Sequence, residues 1–247
     1  MHWPLLDSHC HLDAPEFDGD REQVMRAASE VGVMGIVVPA YTASRWPALM
    51  ALCARARRPS LWPALGLHPI YIADHEEASL QALEAQLISA PELVAVGEIG
   101  LDRFLPELIT PDMWHKQQRF FEAQLGLAQA YNKPVIVHAR RCHADIVRSL
   151  KRVKFSQGGV VHAFSGSVQE ALAYVELGLC LGLGGPLTYP QSRKLREIAT
   201  QIPLAHLLIE TDAPDMVPWP QREQHSDGRT REVGERVRNS PAYLPAV

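Results

Sequence analysis

Cysteine is scarce. Four residues, Cys10, Cys53, Cys142 and Cys180, lie far apart in a 247-residue chain and form no C-x-x-C pair. That spacing excludes a disulfide framework and a zinc ribbon and suits a reducing compartment. Missing as well is any apolar stretch of the length a membrane span requires. Met1-His2-Trp3-Pro4 runs straight into apolar sequence with no basic segment before it, so no signal peptide is visible and the chain reads as cytoplasmic. Nor is there an excess of one charge, since 24 Lys and Arg against 28 Asp and Glu leave a formal net charge of −4. Such a balance argues against gripping long nucleic acid by bulk electrostatics. It leaves room for a phosphate substrate, because bound dications supply positive charge locally.

What the chain has is apolar material in a regular alternation. Hydrophobic residues are 47% of the sequence, enough for one sizeable core. Strand-like runs occupy residues 4–9, 35–40, 61–68, 93–98, 134–138, 159–162, 180–184 and 206–210. They are rich in Val, Ile and Leu without polar alternation, the pattern of parallel strands covered on both faces. Helical periodicity fills the gaps, at 18–31 and most extensively at 112–131, which Pro111 precedes and Pro134 follows. Strand and helix alternating about eight times predict a single (β/α)8 TIM barrel over residues 1–247. An open doubly wound sheet is the rival topology. From residue 217 onward the apolar periodicity stops, which predicts an irregular tail at 217–247.

The chemistry sits where these strands end. Asp7-Ser8-His9-Cys10-His11 closes the first run, and alternation along a strand puts His9 and His11 on the same side. Glu98 closes the fourth run, His138 the fifth, His162 the sixth, and Asp212 follows the eighth. Singly, each fits a structural histidine or a turn-capping carboxylate. Together they are four imidazoles and two carboxylates from five strands, and in a barrel those ends converge on one mouth. Burying such a set without a cation between its members is costly. Imidazole and carboxylate suit Zn²⁺ and also Mn²⁺ or Mg²⁺, and the set is large enough for two ions sharing a carboxylate.

The stretches DSHCHLD, GLHP, GEIGLD, VIVHARRCHAD, VVHAFSGS, LGLGGPLTYP and ETDAPDM occur in order from Asp7 to Met216. This succession resembles the TatD family of metal-dependent deoxyribonucleases, with wording nearest to its YjjV-type subgroup. The resemblance implies an amidohydrolase-like barrel holding two divalent metal ions. It implies His9 and His11 as ligands of one ion, Glu98 as the bridging carboxylate, His138 and His162 as ligands of the second, and Asp212 beside the first. Many related amidohydrolases bridge their metals with a carboxylated lysine; here the fourth run ends in Glu98 with no lysine nearby.

The activity so implied is hydrolysis of phosphodiester bonds at DNA ends by metal-activated water, with Asp212 as general base. DNA, single-stranded or with accessible ends, would be the substrate, and no membrane or obligate protein partner is implied. Two other readings use the same residues: hydrolysis of a small C–N or ester substrate, and a non-catalytic scaffold stabilised by metal.

Further residues carry alternatives. His68, in the GLHP stretch, is read as a substrate contact. Arg140 suits a phosphate clamp or an ion pair with Asp145 or Glu98. Asp102 would orient a ligand histidine or cap a turn. Ser165 and Gly166 would meet a phosphate or open the next helix. Gly182, Gly184 and Gly185 suggest close backbone approach at the mouth, and Arg55, Arg57 and Arg58 a solvated helix end. Arg238-Asn239-Ser240-Pro241-Ala242-Tyr243-Leu244 resembles the family's RNEPAYL segment with Ser240 in place of glutamate. Family members continue beyond it, which predicts a shortened C-terminal segment.

Overall fold

The structure, a computed structural model, describes residues 4–224 and 237–247. Eight strands, β1 (Leu5–Asp7), β2 (Val33–Pro39), β3 (Ser60–Leu65), β4 (Ala95–Asp102), β5 (Val135–Arg140), β6 (Gly159–Val161), β7 (Leu179–Leu183) and β8 (Leu207–Ile209), form one parallel sheet in sequence order. All eight predicted runs are strands. Helices α1 (Arg21–Glu30), α2 (Trp46–Arg55), α3 (Glu77–Ser89), α4 (Pro111–Ala130), α5 (His143–Val153), α6 (Val168–Glu176) and α7 (Arg193–Gln201) follow them in turn, with a short α8 (Trp219–Glu223) after β8. The chain is a (β/α)8 barrel, and the open doubly wound alternative falls away.

Closure comes just beyond the short terminal strands. Ser8 N donates to Ile209 O at 3.2 Å, Asp212 N to His9 O at 2.8 Å and His11 N to Ala213 O at 2.9 Å. The fully buried Asp7 carboxylate reinforces this seam, accepting from Thr211 N at 2.9 Å and Thr211 Oγ1 at 2.6 Å.

Side-chain parity explains why histidines reach the mouth. Ala64, Ala95, Ile136 and Val160, with Val37 and Cys180, make a small cluster drawn from six consecutive strands, the lining of the barrel interior. Their neighbours Leu65, Val96, Val137, Val161 and Leu181 belong to the larger core under the helices. His138 and His162 each lie two residues beyond an inward residue, Ile136 and Val160, so alternation turns them inward one layer higher.

Glu98 departs from its expected place. It lies inside β4, which continues to Asp102 and is buried at every position. Pairing with β5 shifts register between Val96 and Ile99, and Glu98 N donates instead to Ala40 O at 3.1 Å. A bulge of this kind re-aims one side chain; here it is Glu98.

Of the tail at 217–247, residues 225–236 lie outside the described residues. The remainder is more ordered than its lack of periodicity suggests. Pro241–Ala246 forms a 3-10 helix whose Leu244 is fully buried. Arg238 forks onto Asp20 with contacts of 2.9 and 2.6 Å and lies over the Phe17 ring. Among the described residues no helix is long and apolar enough to cross a membrane.

Candidate metal centre

All six residues expected as ligands converge at the C-terminal end of the barrel, and Glu98 is their hub. Its Oε2 lies 3.2 Å from His9 Nε2 and 3.3 Å from His11 Nε2. Its Oε1 lies 2.9 Å from His162 Nε2, 3.0 Å from His138 Nδ1 and 3.1 Å from His68 Nε2. Asp212 Oδ1 stands 3.4 Å from His9 Nε2 and 3.7 Å from His11 Nε2. One carboxylate therefore turns a different oxygen to each of two histidine sets.

The donor set fits cations. His9 Nε2 and His11 Nε2 face each other at 3.0 Å, where two N–H groups cannot both sit. Buried Glu98 Oε2, His9 Nδ1 and His162 Nδ1 have no hydrogen-bond partner among the described residues. Of these, Glu98 Oε2 lies among the histidine Nε2 atoms, and a buried carboxylate oxygen left without a donor is costly unless something positive stands beside it. Ligand atoms of His9, His11 and Asp212, and of His9, Glu98 and His162, lie within 4.8 Å of one another.

His68 also falls within such a group, with Glu98 and His138. Its tautomer sets it apart. Ile70 N donates to His68 Nδ1 at 3.1 Å, and burial lowers its pKa to about 4, so the neutral ring carries its proton on Nε2. A protonated Nε2 donates to an oxygen and does not ligate a metal. In this structure that oxygen is Glu98 Oε1, 3.1 Å away.

The electrostatics follow from crowding. Burial pushes the Asp212 carboxyl up from 3.8 to about 6. Burial works against ionised Glu98 too, but His162, His68 and His9 together hold it well below the carboxylate range. For His162, burial is outweighed by Glu98 and Asp212, which raise it. Burial and the neighbouring His162 lower His9.

Around this centre stand residues of support. Asp102 does both jobs proposed for it: Oδ2 lies 2.9 Å from His138 Nε2, and Oδ1 accepts from Phe104 N at 2.7 Å. Arg140 pairs with neither Asp145 nor Glu98. Its guanidinium lies 3.5 Å from the Phe104 ring centre and lines the mouth, while Asp145 is taken by Arg103 and Arg148. Ser165 lines the mouth as well, but α6 is capped by Ser167, whose hydroxyl accepts from Glu170 N at 3.2 Å. Side chains at Gly182 and Gly185 would collide with the Glu210 carboxylate and Met216 O, so close approach does require glycine there. Arg55, Arg57 and Arg58 are exposed.

Sequence reading passed over Glu210 and Tyr41. Glu210 is fully buried, accepts from Ala163 N at 2.5 Å and lies 3.5 Å from His162 Nδ1. Only its place in the ETD stretch hinted at this. The Tyr41 ring stacks on His11 at 4.0 Å, and nothing in the sequence marked it.

A parallel barrel whose mouth gathers imidazoles around one buried carboxylate defines a metal-dependent hydrolase. The family described as TatD related DNase matches residues 6–247. The chain belongs to the TatD family. The metal-dependent hydrolase YjjV of Escherichia coli K12, itself uncharacterized, is 45% identical over 213 residues, 86% of this chain and 80% of the relative. A crystal structure of YjjV superposes with a TM-score of 0.83 at 40% identity, covering 97% of this chain and 86% of that one. The 3′-5′ ssDNA/RNA exonuclease TatD of Edwardsiella piscicida is 34% identical over 245 residues, 98% of this chain and 88% of the relative. An organophosphorus hydrolase variant from Deinococcus radiodurans, at 15% identity and a TM-score of 0.63 over 85% of this chain and 75% of that one, shares the fold.

Proposed function

We propose that this hydrolase is a two-metal phosphodiesterase that removes nucleotides from the ends of single-stranded DNA. One observation carries the reading: Glu98 turns Oε2 toward His9 and His11 and Oε1 toward His138 and His162. That is the donor arrangement of a carboxylate bridging two cations. His9, His11 and Asp212 would hold one, His138 and His162 the other, and Zn²⁺, Mn²⁺ and Mg²⁺ all accept such ligands. Divalent ions bound there would lower the pKa of water and offset charge on a phosphoryl group.

The protein groups do the rest. Asp212, 3.4 Å from His9 Nε2 at the edge of the cluster, would take the proton of attacking water. His68, whose Nε2–H faces Glu98 Oε1 in this structure, would turn that donor to a phosphate oxygen once Glu98 is engaged by cations. Arg140, steadied on Phe104, offers a planar fork to the same group. The nucleic-acid substrate is supported by relatives named as exonucleases at about a third identity.

The test couples elemental analysis of the purified protein with turnover of a short single-stranded DNA under added Mn²⁺, Mg²⁺ or Zn²⁺. Lactones and cyclic amides are assayed in parallel. Metal-dependent release of nucleotides is expected. Turnover confined to the lactone or amide panel would overturn the reading.

A further inference from the structure

Among the described residues the mouth has little permanent positive charge. Arg45 and Arg140 are the only Lys or Arg among the described residues lining its cavity of about 680 Å³, against the carboxylates of Glu16, Glu98, Asp212 and Asp215. Bound metals would serve the phosphate being cleaved, but a strand brings further phosphates. Arg140 enters from β5. Arg45 enters three strands away, from the turn between β2 and α2.

Arg45 is held by a contact that does not use it up. Nη2 donates to the Asp13 carbonyl at 2.7 Å and lies 3.4 Å from Asp13 Oδ2. Asp13 Oδ1 is buried without a partner among the described residues, so the two groups are not closed in a bidentate fork. Among the described residues Arg45 Nε and Nη1 have no acceptor. The guanidinium carbon sits 5.9 Å from the centre of the Tyr41 ring, which itself stacks on His11. A structural ion pair would spend the fork on its partner. Here one amino group is engaged by Asp13 on a residue that lines the cavity, which leaves the guanidinium with donors to spare for a phosphate.

We infer that Arg45 binds the phosphate adjacent to the one cleaved, so that the site selects strands with at least two phosphates. The inference rests on the phosphodiesterase reading above. Tyr71, exposed beside Tyr41 with ring centres 5.7 Å apart, gives the neighbouring nucleobase a face to stack on. Arg45 and Tyr71 thereby form a subsite for the second nucleotide.

The experiment compares wild type, Arg45→Ala, Arg45→Gln and, as a control on the outer surface, Arg57→Ala. Two substrates are used, tetrathymidylate and the p-nitrophenyl ester of thymidine 5′-monophosphate, which has a single phosphate. Binding of phosphorothioate-linked tetrathymidylate to the metal-loaded protein is followed across salt concentrations. Removing Arg45 should cut the preference for the tetranucleotide roughly tenfold, through KM rather than kcat. The slope of log K against log salt should become shallower by about 0.7, the value of one single-strand phosphate contact. Arg57→Ala should match wild type. Arg45→Gln keeps a donor for the Asp13 carbonyl, so it decides the matter if the alanine variant folds poorly. Unchanged preference and slope in a folded Arg45 variant, with an active wild type, would overturn this inference alone. A wild type that neither binds nor cleaves either substrate would overturn the phosphodiesterase reading and this inference with it.

Discussion

Asparagine in place of Asp212 keeps an oxygen for a cation but cannot take up a proton at neutral pH. Asp212→Asn should retain the fold and most of its metal while kcat on short single-stranded DNA falls by roughly 10²–10⁴-fold. Metal-replete protein with near-normal kcat would remove Asp212 from the role of base. Glu98 and His68 are separated by a similar contrast. Glu98 touches both histidine sets, whereas His68 offers one donor from a fixed tautomer. Glu98→Gln should therefore lower both metal content and kcat, and His68→Ala should lower kcat/KM with metal retained. Equal metal loss in the two variants would contradict the assignment of His68 as a donor.

At the scale of elements, the seam between β8 and β1 depends on polar groups. Burial raises the Asp7 carboxyl from 3.8 to about 7, so the folded chain keeps a proton that the unfolded chain has already released. With a raised folded-state value, this group's contribution is intact below about pH 4 and is lost as pH rises to about 7. Asn cannot titrate, and its carbonyl oxygen can still accept from Thr211 N. Denaturant midpoints measured from acid to neutral pH should show Asp7→Asn gaining on wild type as pH rises; a constant difference would refute the linkage. Asn239 is a second pin. Fully buried, it donates from Nδ2 to Thr211 O at 2.8 Å and to Asp215 O at 2.7 Å, bracketing Asp212. Asn239→Ala leaves both carbonyls without that donor. A loss of about 2–4 kcal/mol is expected, with weaker metal binding because the loop bearing Asp212 is released. Full metal affinity in a destabilised Asn239→Ala protein would confine Asn239 to stability.

Across the whole molecule, the crowded donors of the mouth should make metal a structural asset. Chelation should lower Tm by roughly 5–15 °C, and Zn²⁺ or Mn²⁺ should restore it; insensitivity of Tm to chelator would argue that the buried cluster is satisfied without cations. How much of this the sequence discloses varies with the kind of contact. The strands were legible because burial on both faces leaves unbroken apolar runs, and His138 and His162 because they continue the inward parity of Ile136 and Val160. Glu98 was recognisable by type but not by place, since the shift that turns it inward depends on Ala40 and β5, far away in sequence. Arg45 meets Asp13 across 32 positions, and no local pattern marks such a pair. Residues 237–247 dock through Asn239 and Arg238 on backbone carbonyls and a single carboxylate. Anchors of that sort leave no hydrophobic period to read.

The seam has a consequence for the order of events during synthesis. Asp7 and Thr211 are 204 positions apart, and Arg238 finds Asp20 across 218. A ribosome releases the chain from its N-terminus, so Glu98, His138 and His162 can meet long before Asp212 has left the exit tunnel. His9 and His11 are made first and neighbour Glu98 through β2 and β3, so among the six expected ligands it is Asp212 that waits for the last strand. Closure of the seam, and with it the placing of Asp212, is therefore the step that only the finished chain can take.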